Sequence, residues 1–242
     1  MLHGGCNMAC PFCVTDTRVA PMTRHQARAL VHDLARSGFR GVVLGGGEPF
    51  AWPWLIDVAR HAQTQGLEVQ VGTNGVQLPA GYTRLHAIDR FVLPLESTHA
   101  PTHDRMRPLA GRSHYALIFD RLAALRSAGR QVTVSTVVTA ENLDGLPALG
   151  ARLAAYQAGG GRLHAWHLYR FIPEGRGGAR HAGRFHVDEA VYHAAADAVR
   201  EAQPTVRIFK RPDMYHSRDV EFFWYEASTL RIGSQAWAVT RP

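Results

Sequence analysis

An α/β fold with parallel strands is what this 242-residue sequence predicts. Short apolar, strand-like runs alternate with segments of helical period, the order is βαβα throughout, and glycine-containing or polar turns follow the strand-like runs. Residues 1–5 leave just enough chain for a first strand. In 23–37, Thr23 and Gln26 stand at capping-box spacing, Ala27, Leu30, Val31 and Leu34 share one face, and Gly38 stops the helix. A strand at 41–44 runs into three glycines, a helix is expected at 54–65, and 67–72 returns to strand. Further strands are read at 91–95, 132–138 and 163–171, with helices at 114–128, 143–157 and 187–202. Parallel strands joined by right-handed helical crossovers make either a doubly wound sheet or a barrel, and pattern alone does not choose.

Composition agrees with one globular core. The hydrophobic fraction is 46%, mean hydropathy is -0.17, and no apolar run is long enough for a membrane span. No composition break divides the chain, so residues 1–212 are read as the core and 213–242 as an aromatic extension of the same domain. The formal charge of +7 favours anionic partners. Lys210 is the one lysine, and no basic run is interleaved with aromatics, which sets nucleic acid aside. Nothing at the N-terminus reads as a secretory signal, and thiols meant for metal need a reducing compartment, so the cytoplasm is expected.

The chemistry starts with the cysteines. All three lie near the N-terminus, Cys6, Cys10 and Cys13, at C-x3-C-x2-C spacing. Three thiolates on one loop suit a four-iron cubane and leave one iron without a protein ligand, whereas a structural zinc site wants four ligands. By the loop alone, a zinc site completed by His3, or three buried thiols, stays open. Downstream come Gly45-Gly46-Gly47-Glu48-Pro49, Thr73-Asn74-Gly75, Glu96-Ser97 and His103-Asp104-Arg105-Met106-Arg107, three of the four directly after an expected strand. Glycine at 45–47 lets backbone approach a ligand closely.

This set resembles the radical S-adenosylmethionine (radical SAM) enzymes. The resemblance implies a partial (β/α)6 barrel with parallel strands, the cluster loop after the first strand, and the cluster and cofactor at the C-terminal strand edge. It implies a [4Fe-4S] cluster on Cys6, Cys10 and Cys13, and S-adenosyl-L-methionine on the open iron. Gly46, Gly47 and Glu48 would then receive the methionine amino group, Thr73 and Asn74 would face the cofactor, and Ser97 with Arg107 would take the carboxylate. Phe12 would lie near the adenine and Pro173 near the adenosine. Pro108 stands where the family usually has glycine.

The resemblance further implies reductive cleavage of the sulfonium to methionine and a 5'-deoxyadenosyl radical that abstracts hydrogen from substrate. The electron would come from an external reductant such as flavodoxin or ferredoxin. With no cysteine after residue 13, an auxiliary cluster is not expected unless a partner supplies it. Charge favours a small anionic metabolite of nucleotide or sugar type, with Arg170 and Arg176 as possible contacts; the rival substrate is a ribosomal precursor peptide. From another class, the chain would be a non-catalytic iron-sulfur or zinc-binding accessory protein. The tail carries Tyr215, His216, Phe222, Phe223, Trp224 and Tyr225, read as a lid closing the barrel, with Tyr215 and Tyr225 as candidate hydrogen donors.

Overall fold

The computed structural model describes residues 1–15, 19–212 and 220–233. Among them, β2 (Gly41–Leu44), β3 (Glu68–Gly72), β4 (Arg90–Pro94), β5 (Gln131–Val138), β6 (Arg162–Arg170) and β7 (Ile208–Arg211) form one six-stranded sheet in that order. Strict chain order decides between the two α/β solutions. A doubly wound sheet reverses its strand order at a switch point, and no reversal occurs here, so the architecture is the open (β/α)6 arc. A second sheet of β1 (Val19–Ala20), β8 (Phe223–Glu226) and β9 (Thr229–Ile232) is antiparallel and was not expected.

The chain divides into two compact units. The first comprises Met1–Asn7, Thr15–Phe91 and Met214–Pro242. Its β2 and β3 pair in parallel from Gly41↔Glu68 to Leu44↔Val71, linked by α2 (Leu55–Thr64), which buries Leu55, Val58, Ala59 and Ala62. Helix α1 (Arg24–Arg36) begins with the expected reciprocal box: Gln26 N–H donates to Thr23 Oγ1, and Thr23 N–H to the Gln26 side chain. Residues 1–5 are no regular strand. They run beside the loop after β2, with Leu2 N–H donating to Gly45 O, Gly47 N–H to His3 O and Glu48 N–H to Gly5 O. Two glycines in five residues give up the extended regularity a strand needs.

The second unit comprises Met8–Val14 and Val92–Asp213. Here β5, β6 and β7 pair in parallel, and α3 (Ala100–Met106), α4 (His114–Ser127), α5 (Leu146–Ala158) and α8 (Glu189–Ala202) intervene in the sequence, with the short α6 (Gly175–Gly178) and α7 (Ala182–Phe185) after β6. Strand β6 sorts its side chains by parity. Trp166 reaches Gly150 of α5 and donates Nε1–H to Thr136 Oγ1, so the even positions face the helices. Phe171, of the other parity, packs with Phe12, Met106 and Phe185. The sixth strand is Ile208–Arg211 and not the N-terminal segment: its Ile-Phe-Lys-Arg run hides a strand whose Lys210 is held on the helix side by Asp197 at 2.8 Å.

Candidate functional site

In the first unit, Glu48 is the centre. It is fully buried, and its carboxylate joins the turn after β2 to the turn after β3. Oε1 accepts from Thr73 Oγ1–H at 2.7 Å and from Phe50 N–H at 3.1 Å, while Oε2 accepts from Asn74 N–H at 2.8 Å. Burial pushes its pKa up, and these hydrogen bonds pull it back. A carboxylate has about four acceptor sites, so Oε2 retains capacity for one more donor. Asn74 Nδ2 reaches the cysteine loop, at 2.7 Å from Asn7 Oδ1 and 3.6 Å from Cys6 Sγ.

The glycines have a second purpose. Gly46 holds φ at 151°, and a Cβ there would stand 2.3 Å from His3 O; at Gly47 it would stand 1.7 Å from Gly5 O. Their bareness therefore admits the N-terminal backbone as well as leaving room for a ligand. His3 is spent on this junction: Nδ1 accepts from Gly5 N–H at 3.2 Å, so Nε2–H donates to Glu48 O at 2.9 Å. It is not a fourth metal ligand. Glu48→Ala removes three accepted bonds at once and is expected to cost about 2–4 kcal/mol in urea denaturation and to weaken S-adenosylmethionine binding. Iron per folded protein should stay constant; equal loss of iron would make the role purely structural.

In the second unit the cysteine loop is seated on α6. Cys13 O accepts from Gly177 N–H at 3.0 Å and Gly178 N–H at 3.2 Å, and Cys13 N–H closes a turn onto Cys10 O at 3.1 Å. A Cβ on Gly177 would meet Cys10 O at 2.5 Å and Cys13 N at 2.9 Å. Gly177→Ala is thus expected to displace the loop and lower iron incorporation severalfold, whereas Gly183→Ala, whose Cβ meets nothing within 4 Å, leaves it near wild type. Iron assay after reconstitution reads both.

Arg107 faces this loop. Its Nε–H donates to Glu96 Oε1 at 2.6 Å, Nη1–H points to Cys10 Sγ at 3.9 Å, and the guanidinium lies 5.0 Å over the Phe12 ring. Burial works against its charge, but Glu96 and the Cys10 and Cys13 sulfurs outweigh that and raise its pKa. Burial raises Glu96 in turn, opposed by Arg107. Glu96 Oε2 also accepts Val137 N–H, and Asn142 Nδ2 donates to Glu96 O and Val137 O, so β4 and β5 are tied at their ends. Arg105, by contrast, is exposed on Thr102.

Behind Glu96 sits a buried histidine pair. His103 Nδ1 accepts from Glu96 N–H at 3.1 Å, so its Nε2–H donates to His114 Nδ1 at 2.8 Å. Burial lowers the His103 pKa to about 2. Between about 6.5 and that value the unfolded chain binds a proton that the folded chain refuses, so stability is lost as pH falls below 6.5. Relative to His103→Gln, wild-type stability should drop by about 1.4 kcal/mol per pH unit below 6.5, read by urea denaturation at pH 7.5 and 5.5. A constant difference would show that His103 titrates normally.

Of the remaining expected residues, Ser97 is buried and its Oγ accepts from His99 N–H at 3.0 Å. Pro173 is exposed ahead of α6, and Tyr225 is half-exposed on β8, opposite Ala20. Tyr215 and His216 lie outside the described residues. Arg170 is committed to Pro212 O at 3.0 Å and Glu189 at 3.3 Å, which removes it as a ready anion contact. Asn7, Asn142 and the His103–His114 pair escaped sequence reasoning because their partners lie 11 to 67 positions away. Only the Thr139–Asn142 spacing hinted at a turn.

These residues suit a cluster. The three cysteines form no disulfide and are partly exposed, Cys6 and Cys10 have N–H donors facing sulfur, and the loop rests where Gly177 leaves room for it. Among the described residues no three histidine, cysteine or carboxylate side chains, the three cysteines included, gather closely enough to hold a single metal ion. No helix among them is long and apolar enough to cross a membrane.

A parallel sheet in chain order, preceded by a three-thiol loop and carrying polar clamps at its strand ends, defines a cluster-binding α/β enzyme of the partial-barrel class. The chain belongs to the radical SAM superfamily, whose profile matches residues 2–149. Membership brings a [4Fe-4S] cluster and S-adenosylmethionine as cofactors. The chain is 28% identical over 186 residues to the AdoMet-dependent heme synthase of Methanosarcina barkeri, covering 73% of this chain and 50% of that one. It is 26% identical over 155 residues to an S-adenosylmethionine-dependent nucleotide dehydratase of Flammeovirga pacifica, covering 57% and 52%. Streptococcus suis SuiB bound to its precursor peptide SuiA superposes with a TM-score of 0.70 at 11% identity, covering 88% of this chain and 48% of that chain. The chain spans about half the length of the curated relatives it matches.

Proposed function

We propose that the protein cleaves S-adenosylmethionine reductively and abstracts hydrogen from a small anionic metabolite of nucleotide or sugar type. The bound cluster would supply the electron, drawn from a reductant of the flavodoxin or ferredoxin kind in a reducing compartment, the cytoplasm. The observation carrying this reading is the cysteine loop itself, three cysteines in no disulfide at C-x3-C-x2-C spacing, with Cys13 O seated on the amides of α6 and Arg107 turned toward Cys10. Glu48, with one acceptor site left on Oε2, suits an ammonium group, and Arg107 keeps a cation near Cys10 that suits a carboxylate. The net charge of +7 and the nucleotide named for the Flammeovirga pacifica relative support the metabolite class.

The test is anaerobic reconstitution with iron, sulfide and dithionite. Release of 5'-deoxyadenosine, accelerated by nucleotide or sugar phosphates and coupled to their loss, is expected. A full cluster without deoxyadenosine would favour an accessory protein. A second reading, action on a precursor peptide, is favoured by the SuiA-bound form of SuiB; stimulation by a peptide and by no phosphorylated metabolite would establish it instead.

A further inference from the structure

In the second unit, one face of the β5–β7 segment is turned away from the helices and carries chemistry that the cofactor residues do not use. Parallel partners in register point to the same face. Val137, Tyr169 and Arg211 form one such row, and Ser135, His167 and Phe209 the row before it. The parity is fixed at both ends. Trp166 packs on Gly150 of α5 and Lys210 reaches Asp197 of α8, both on the helix side. Val137 and Phe171 pack with Phe12, and Cys10 joins the same cluster. Tyr169 therefore stands one strand from Val137 and two residues from Phe171, beside the cysteine loop.

Apart from Val137, the side chains of these two rows are polar or aromatic where an idle inner face would be aliphatic. Tyr169 Oη lies 3.5 Å from His167 Nδ1, the His167 and Phe209 rings meet edge to face at 5.3 Å, and the Arg211 guanidinium lies 5.5 Å from the Phe209 ring. Among the described residues the Arg211 side chain meets no carboxylate, unlike Arg107, Arg170 and Lys210. One row deeper, Thr133, opposite Ala165, is buried with its hydroxyl lacking any hydrogen-bond partner. Burial raises the Tyr169 hydroxyl pKa, against the pull of Arg211, so it stays a protonated donor at neutral pH.

We propose that Arg211 and Tyr169, backed by His167 and Phe209, form an oxyanion-recognition subsite for a phosphate or carboxylate group of the substrate. Arg211 supplies charge and a donor fork, Tyr169 a single directed O–H donor, and Phe209 holds the guanidinium plane. This deepens the anionic-metabolite reading and rests on it for the claim that the ligand is a substrate. Tyr169 shares its face with residues packed on Phe12 and Cys10, which places a tyrosine donor beside the cysteine loop.

The test is calorimetric titration of the cluster-loaded protein with inorganic pyrophosphate and, separately, succinate, which distinguishes phosphate from carboxylate. At least one should bind wild type, weakened about tenfold or more in Arg211→Gln and severalfold in Tyr169→Phe, with Arg211→Lys intermediate. Unchanged affinity in Arg211→Gln, or no binding of either anion to wild type, overturns the subsite. A measurement that needs no variant guards against misfolding: phenylglyoxal modification of Arg211, followed by peptide mass spectrometry, should slow severalfold in saturating anion. An unprotected Arg211 overturns the proposal. Binding is read without cofactor cleavage, so a protein that binds pyrophosphate through Arg211 yet never releases deoxyadenosine would refute the enzymatic reading and leave the subsite standing.

Discussion

A Cys10→Ala protein reconstituted anaerobically is expected to lose its four-iron cluster, with iron falling from about four per chain toward zero and the broad absorbance near ~400 nm disappearing. Deoxyadenosine release should fall to background. Two thiolates remain; His3 is held by Gly5 N–H and Glu48 O, and among the described residues no gathered carboxylates stand ready to substitute. The loop itself should persist, because its anchorage is through backbone: Cys10 O, Cys13 N and Cys13 O make the bonds that Gly177 and Gly178 complete. Urea denaturation of the cluster-free proteins should therefore differ by less than about 1 kcal/mol between Cys10→Ala and wild type. A Cys10→Ala variant that kept a full cluster and cleaved the cofactor would refute the assignment of Cys10 as a ligand.

Arg107→Met should be the most costly single change to stability, about 3–5 kcal/mol, because it strands Glu96 as a buried carboxylate without its cation. Glu96 is fully buried and Arg107 nearly so, and the 2.6 Å bond between them is reinforced by Val137 N–H. Neutralising both partners tests the cause. The Arg107→Met, Glu96→Gln double variant should recover most of the loss, since an amide still accepts Val137 N–H and carries no stranded charge. Equal destabilisation in single and double variants would mean that Arg107 acts by packing on Phe12 instead. In either case cofactor affinity should fall, because the cation facing Cys10 is gone.

The elements with strong local signals were legible. Helix α1 could be read from its capping box and apolar face, and strands β2 to β6 from short apolar runs bounded by turns. Those signals are local, acting over four or fewer positions, so a sequence displays them directly. Strand β7 was missed because its two apolar residues are followed directly by Lys210 and Arg211, and the partner that explains Lys210, Asp197 on α8, lies in another element. Residues 1–5 misled for the opposite reason: they have strand-like bonds to the Gly45–Glu48 turn, but Gly4 and Gly5 forgo regular pairing to fit against Gly46 and Gly47.

By itself the sequence determined the chemistry available: three cysteines at C-x3-C-x2-C spacing, glycines bare enough for close approach, and Glu48, Thr73, Asn74, Ser97 and Arg107 in that order along the chain. Tertiary structure alone decided how those groups are employed. Glu48 became the joint between two turns, Arg107 the partner of Glu96, His3 a backbone clamp, and Tyr169 with Arg211 a row on the face shared with Phe12. The physical reason is that a buried polar group must find its partner wherever the fold brings one within about 3 Å, and that proximity is set by strand register and helix packing over tens of residues.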